Sequence, residues 1–390
     1  MLNSALIVLS GALAVFWLAY ATNTILGMRR MPRLANVGLR PDEGLPLISV
    51  LVSARDEAEK MPPALRSLLA LDYPNYEVVI VDDRSTDATP QILREFAAAC
   101  KRLHAVRVDA LPPGWLGKPH GLETAYEHSR GEWLVFTDAD VRFDPSLLRR
   151  AMSLALERGW DHLTAFPLME TSGFGERALL TYFALGGFLY SRPWSVSRHD
   201  SKYYCGVGAF QLVRRSAYEA MGTHRRLAME VVDDMKLGKL IKESGFSSGV
   251  ALTGELLNLR WHSGVANIIR GTEKNFFAAS GFSWSKALAQ IAFLLVVSVL
   301  PFALLVAPGT WIGGAWSRIF GAIAVAAVVA LHARVARVLC VTPLYGLTHP
   351  LGALLVSYML ARSAVITLRQ NGIYWRGTFY PLEQLRKGAV

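Results

Sequence analysis

From Leu6 to Leu26 the chain carries no charged residue, and about 20 such residues suffice to cross a bilayer as a helix. A second uncharged run, Ala287 to Ser317, is interrupted by Pro308-Gly309 and reads as a hairpin joining two spans. Val341 to Ala361 is a fourth candidate. These runs limit the fold to apolar helices at both ends with a polar region between them. With 52% hydrophobic residues and a mean hydropathy of +0.28, the chain is too apolar for an ordinary soluble enzyme. The first run lacks the basic start and small-x-small cleavage site of a signal peptide, so it is expected to remain as an anchor. Arg29, Arg30 and Arg33 follow it and place the polar region in the cytoplasm by the positive-inside rule.

The net charge of +10 suits an anionic membrane surface and phosphate-bearing substrates. The basic residues cluster beside the apolar runs rather than forming a stripe with interleaved aromatics, which argues against nucleic acid. Cys100, Cys205 and Cys340 lie far apart without a CxxC pair, so neither a disulfide framework nor a zinc site is expected.

The organisation expected is an anchor at 1–27, a basic linker at 28–45, a catalytic domain at 46–285, a membrane region of two to three spans at 286–368 and a basic tail at 369–390. In the central region, β-rich runs (48–53, 76–81, 104–108, 133–137) alternate with helical patterns (58–71, 88–100, 119–129). This order predicts an α/β domain with a parallel sheet. Neither GxGxxG nor GxxxxGK[ST] occurs, which excludes dinucleotide-dependent dehydrogenases and P-loop enzymes. Two apolar segments stand out. Ala178 to Tyr190 fits either a buried core helix or an interfacial helix at a lipid entrance, and Asn267 to Ser280 has the pattern of an amphipathic helix at the membrane surface.

Five charged clusters carry the chemistry. Strand one ends in Ser53-Ala-Arg-Asp-Glu57 and strand two in Val81-Asp-Asp-Arg-Ser-Thr-Asp87. Lys118 precedes a helix. Leu134-Val-Phe-Thr-Asp-Ala-Asp140 ends on two carboxylates, which alternation on an extended backbone turns to one side. They lie at a strand's C-terminal end, where open α/β sheets bind ligands, and two hard oxygen ligands suit Mg²⁺ or Mn²⁺ shared with phosphates. Asp233 and Asp234 open a further helical pattern. Asp82 also reads as a turn residue, and Asp87 better as a helix cap than as a ligand. Asp233 has the same capping alternative, and Lys118 that of a solvated surface lysine.

This ordered set resembles the family 2 glycosyltransferases, whose catalytic domain has the GT-A fold, over about residues 46–285. The resemblance implies a nucleotide-diphosphate sugar donor, with a UDP-sugar expected. Asp83 would contact the base, Ser53 and Glu57 would line the same pocket, and Asp138 would reach the ribose. Asp140 would hold the metal, Asp234 would act as catalytic base, and Asp233 would stand where Glu is more usual. Lys118 and Arg270 would help bind the diphosphate. Cys205-Gly-Val-Gly-Ala-Phe-Gln-Leu is similar to the Gly-containing strand bordering the acceptor site. The terminal apolar segments resemble the membrane-bound subgroup of ceramide glucosyltransferase-like and bacterial hopanoid- or carotenoid-associated enzymes, as does the tail Gly372 to Tyr380. Arg260-Trp261, preceded by Leu257, does not form the (Gln/Arg)-x-x-Arg-Trp motif of processive synthases.

The expected function is inverting transfer of one sugar to a lipid hydroxyl at the cytoplasmic face of a bacterial inner membrane. A polyprenyl-phosphate glycosyltransferase and a small processive synthase are the alternatives. Four complete spans would put Arg362, Arg369, Arg376, Arg386 and Lys387 outside, so Val341–Ala361, with Pro343 and Pro350, is expected to be re-entrant.

Overall fold

The computed structural model describes residues 2–306, 314–388 and 390, so the hairpin expected at Pro308-Gly309 lies outside the described residues. The chain divides into two compact units. One joins 1–30, 171–192 and 262–371; the other joins 31–170, 193–261 and 372–390.

Among the described residues every strand lies in the second unit. In chain order these are β1 (Ile48–Ala54), β2 (Tyr76–Asp83), β3 (Leu103–Val108), β4 (Trp133–Thr137), β5 (Val141–Phe143), β6 (His162–Phe166), β7 (Leu168–Met169), β8 (Gln211–Arg214), β9 (Ser248–Leu252), β10 (Leu257–Leu259), β11 (Gly372–Trp375) and β12 (Thr378–Pro381). The main sheet runs β3-β2-β1-β4-β8-β6-β9. Its first four strands are parallel, as the alternating pattern predicts, while β8 pairs antiparallel with both β4 and β6. β1, β2 and β4 are buried at every position, so these Val- and Ile-rich runs need no polar alternation. Helices cover both faces. Met61, Leu65 and Leu68 pack with Val50, Val52 and Ile80 on one side, and Leu122, Leu237 and Ile241 pack with Leu51, Val79 and Val81 on the other. β5, β10 and β7 form a small separate sheet, and β11–β12 an antiparallel hairpin.

Three expectations shift. The helix after β3 begins at Gly117, so Lys118 lies in its first turn rather than ahead of it. β4 stops at Thr137, and Asp138–Asp140 form a turn; alternation along a strand therefore does not set their direction. The glycine-bearing part of Cys205–Leu212 is likewise irregular chain closed by a Phe210 N–H to Val207 O bond, and the strand starts only at Gln211. Gly206 and Gly238 leave room for this close crossing, since a Cβ on either would strike backbone of the other segment.

The first unit consists of helices. Asn3–Arg30, Trp284–Val306, Gly314–Val338 and Pro343–Gln370 are each long and apolar enough to cross a membrane. Within the second of these, Leu295–Val299 forms a π turn, a distortion that loosens the backbone ladder, and the Val297 carbonyl there accepts a hydrogen bond from the Trp17 indole at 2.8 Å. Val8, Val15, Phe293, Ile319 and Leu354 are exposed, as side chains facing lipid would be. The last helical segment opens with a 3₁₀ turn at Pro343–Thr348 before the α-helix His349–Gln370. Ala178 to Tyr190 lies in the helix Gly173–Ser191 of this unit, with Phe174 and Tyr190 exposed and Leu179, Leu180 and Leu185 buried. The amphipathic segment expected over Asn267–Ser280 is the helix Val265–Ala279, whose Glu273 accepts a hydrogen bond from Arg362 at 2.9 Å.

Candidate active site

The sheet's C-terminal edge in the second unit gathers the loops after β1, β2 and β4, the start of helix Gly117–Glu127 and the start of helix Asp233–Glu243. The first two loops are laced together. Asp56 accepts from the Thr86 N–H at 2.7 Å, Ser85 Oγ from the Asp56 N–H at 3.0 Å, Thr89 Oγ1 from the Glu57 N–H at 2.9 Å, and Asp87 from the Ala58 N–H at 3.0 Å. Asp87 also accepts the Thr89 N–H at the next helix's start, so it works as a capping and lacing residue. Asp82 accepts the Ser85 N–H and pairs with Arg107 at 2.7 Å, the turn role read for it. Asp56 and Arg84 both have positive φ (53° and 57°), the sharp bends these laces hold in place.

Asp83 is completely buried. Oδ1 accepts from Arg84 Nε at 2.7 Å, and Oδ2 lies 3.4 Å from Arg376 Nη1. Burial would raise its carboxyl, but Arg84 and Arg376 outweigh that and hold it below the usual range. Arg376 also donates to Ser53 Oγ at 2.9 Å and Ser53 O at 3.1 Å. Sequence reasoning missed this arginine because it lies 293 residues beyond Asp83, in a segment read as a tail.

Beside this corner is a run of carboxylates. Burial, and then the neighbouring Asp140, push Glu57 up to about 7. Burial and Asp138 likewise raise Asp140, whose Oδ2 meets Lys60 Nζ at 3.3 Å. Lys118 Nζ lies 2.7 Å from Asp138 Oδ1 and 4.0 Å from Asp233 Oδ2. Burial opposes its charge, yet Asp138, Asp233 and Asp234 hold it protonated well above the ordinary lysine range. It is therefore an ion-paired residue of the site, not a solvated surface lysine.

Asp233 is buried in the first turn of its helix, while Asp234 is half-buried, with Oδ2 accepting the Gly208 N–H at 3.0 Å and Oδ1 the Met235 N–H at 2.8 Å. A Cβ at Gly208 would stand 2.9 Å from Asp138 Oδ2, 3.3 Å from Asp234 Oδ2 and 3.4 Å from Lys118 Nζ. Glycine thus lets backbone enter the middle of the charged cluster, in a small cleft lined by Lys118, Thr137, Gly208, Asp233 and Asp234. Ser53, Glu57, Asp83, Lys118, Asp138, Asp140, Asp233 and Asp234 all lie in this unit; Arg270 lies on the helix Val265–Ala279 of the other.

Among the described residues no three His, Cys, Asp or Glu side chains form a ligating group. Besides burial, Asp140 and Asp138 raise the Glu57 carboxyl, and Asp138 raises that of Asp140, a repulsion that a hard divalent cation sharing a diphosphate's oxygens would relieve.

The mixed sheet, parallel at one edge and with acidic strand ends, is a GT-A-like fold. The mannosyltransferase PcManGT from Pyrobaculum calidifontis, solved with GDP-Man and Mn2+, aligns over 95% of this chain and 99% of its own with a TM-score of 0.54 at 20% identity, which supports the fold. Residues 49–222 match the model of Glycosyl transferase family 2. Similar curated proteins include a beta-monoglucosyldiacylglycerol synthase of Nostoc sp., 32% identical over 160 residues, 38% of this chain and 34% of that protein. A synthase of the same name from Synechocystis sp. is 25% identical over 74% of this chain and 64% of its own length. The 4,4'-diaponeurosporenoate glycosyltransferase of Staphylococcus haemolyticus is 25% identical over 51% of this chain and 52% of its own. The chain thus spans about a third to under two thirds of these relatives.

Proposed function

We propose that the protein transfers a single sugar from a nucleotide-diphosphate sugar to a hydroxyl of a membrane lipid, with inversion, at the cytoplasmic face. The observation that carries this reading is the setting of Asp234: a half-buried carboxylate held by two main-chain N–H groups, across the cleft from Lys118 and Asp138. Main-chain donors fix its direction and leave lone pairs for a proton. As general base, Asp234 takes the proton of the acceptor hydroxyl. The acceptor oxygen then bonds to the anomeric carbon, the bond from that carbon to the diphosphate oxygen breaks, and the nucleoside diphosphate leaves with the bonding electrons. Lys118, anchored by Asp138, sits where it can stabilise that leaving charge. Ser53 and Asp83 serve the nucleoside end, Asp138 the ribose, and Asp140 with Glu57 a Mg²⁺ or Mn²⁺ ion. When bound, that ion supplies Lewis-acid stabilisation of the departing diphosphate; the neighbour from Pyrobaculum calidifontis was solved with Mn2+.

Two things support a lipid acceptor: the apolar helices, and relatives named for products built on diacylglycerol and on diaponeurosporenoate. The arginines after the first apolar helix support a cytoplasmic site. Residues 31–170, 193–261 and 372–390 share one compact unit, which supports placing the chain's exit at 261 and its return at 372 on one side of the bilayer. Three apolar helices lie between, and three full crossings would end on the opposite side. The 3₁₀ turn Pro343–Thr348 and Pro350 support a re-entrant last segment.

The test is purified protein with radiolabelled UDP-glucose, UDP-galactose and GDP-mannose, extracted membrane lipids and Mn²⁺. Label in the organic phase that survives mild acid is expected. Label released by mild acid identifies a polyprenyl-phosphate product, and insoluble polymer identifies a processive synthase; either overturns the reading.

A further inference from the structure

The hairpin β11–β12 reaches three loops of the site at once. Arg376, at its tip, holds the end of β1 through Ser53. Thr378 Oγ1 accepts from Arg84 Nη1 at 3.3 Å in the loop after β2. Tyr380 Oη accepts from the Gly117 N–H at 3.3 Å, next to Lys118. The tip is tight: Arg376 has φ 49° and Gly377 φ 71°, the paired positive angles of a two-residue hairpin turn. An arginine in that conformation is strained, and three hydrogen-bonding contacts with Ser53 and Asp83 hold it there.

This changes what the nucleoside end presents. The Asp83 side chain is 1% exposed, whereas that of Arg376 is 17% exposed. A guanidinium carries five N–H groups. Those of Arg376 on Nη1, and one on Nη2, are used by Ser53 and Asp83, leaving Nε–H and the second Nη2–H without a partner among the described residues. The accessible group is a fixed pair of donors, with the carboxylate behind it as counter-ion.

Resting on the donor site proposed above, the geometry points to Arg376 as the specificity-determining residue at the nucleoside end. It donates to a carbonyl oxygen of the base, while Asp83 anchors it and does not touch the base. The base is then one that carries a carbonyl, as uracil, thymine, cytosine and guanine do, and not adenine.

The experiment uses the full chain in detergent with the donor that turns over in the panel above. For Arg376→Ala, donor KM should rise at least about tenfold, the scale of a lost charge-assisted hydrogen bond. The kcat at saturating donor should hold within about twofold, and acceptor KM should not move. Inhibition by UDP or GDP, whichever the donor releases, should weaken in step, while inhibition by inorganic pyrophosphate should not. Arg376→Lys keeps the charge but loses the fork and should fall between. An unchanged or lowered donor KM in Arg376→Ala, the latter meaning that the hairpin merely plugs the site, overturns the inference. So does a joint loss of kcat and melting temperature at constant KM. If Arg376→Ala does not fold, a wild-type donor KM in Arg376→Lys overturns it. If no sugar nucleotide turns over in the wild type, the proposed function has failed instead.

Discussion

Asp83 and Asp234 both sit at the mouth of the sheet, yet the protein treats them oppositely. Asp83 is fully buried, with one guanidinium on Oδ1 and another near Oδ2. Asp234 is half-buried and held by N–H dipoles of Gly208 and Met235. A carboxylate locked between two cations stays ionised and is a poor proton acceptor. One held by N–H dipoles at a helix start keeps its direction and has no guanidinium bonded to either oxygen among the described residues. The contrast supports an anchoring role for the first and the proposed proton transfer for the second, although both come from Asp-Asp pairs that look alike in sequence.

The largest effect expected from breaking this contrast is on Asp234. Asp234→Asn keeps size and one of the two main-chain hydrogen bonds but cannot accept a proton, so transfer at saturating donor should fall by roughly 10² to 10⁴-fold. Loss of the cation comes next. A chelator should abolish transfer, Mn²⁺ or Mg²⁺ should restore it in the wild type, and Asp140→Ala should lose most activity. Full activity of that variant in excess chelator would remove the metal from the account.

Stability should divide the two carboxylates the other way. Asp83→Asn leaves Arg84 and Arg376 without their counter-ion and should cost about 2 kcal/mol, the range for hydrogen bonds to charged groups. Asp234→Asn gives up one main-chain hydrogen bond of a half-buried group and should cost less, about 1 kcal/mol. Equal melting temperatures for Asp83→Asn and wild type would mean that the guanidinium pair is not an anchor.

The smallest effect is the pH response of Glu57. Its folded value of about 7 lies above the ordinary 4.5, so between those values the folded state holds the proton more tightly than the unfolded. Stability of the metal-free protein should therefore fall as pH rises from about 4.5 to about 7 and level off above. Glu57→Gln should flatten that fall, which thermal melts across the range in chelator would reveal. A wild-type melting temperature that does not fall across that window would contradict the setting described for Glu57.

Much of this was legible in the sequence, and the reasons differ by element. The parallel half of the sheet could be read because each buried strand is a short apolar run ended by charge, as in Tyr76–Asp83. Asp87 could be read as a cap because its carboxylate serves backbone within two residues. The strand Trp133–Thr137 could be read at its true bounds, but the direction of Asp138 and Asp140 was misread because residue type does not mark where extended backbone ends. Arg376 could not be found because no local pattern records which strand end a distant hairpin tip will touch. Its one signal was Arg376-Gly377 between apolar and aromatic residues, a turn signature inside an assumed tail.

The division of labour between the two carboxylates is tested most directly by measuring equilibrium donor binding and single-turnover transfer side by side on Asp234→Asn. The account predicts a donor Kd equal to the wild type's and a transfer step slowed by orders of magnitude. Loss of donor binding, with unchanged turnover of whatever donor remains bound, would contradict it.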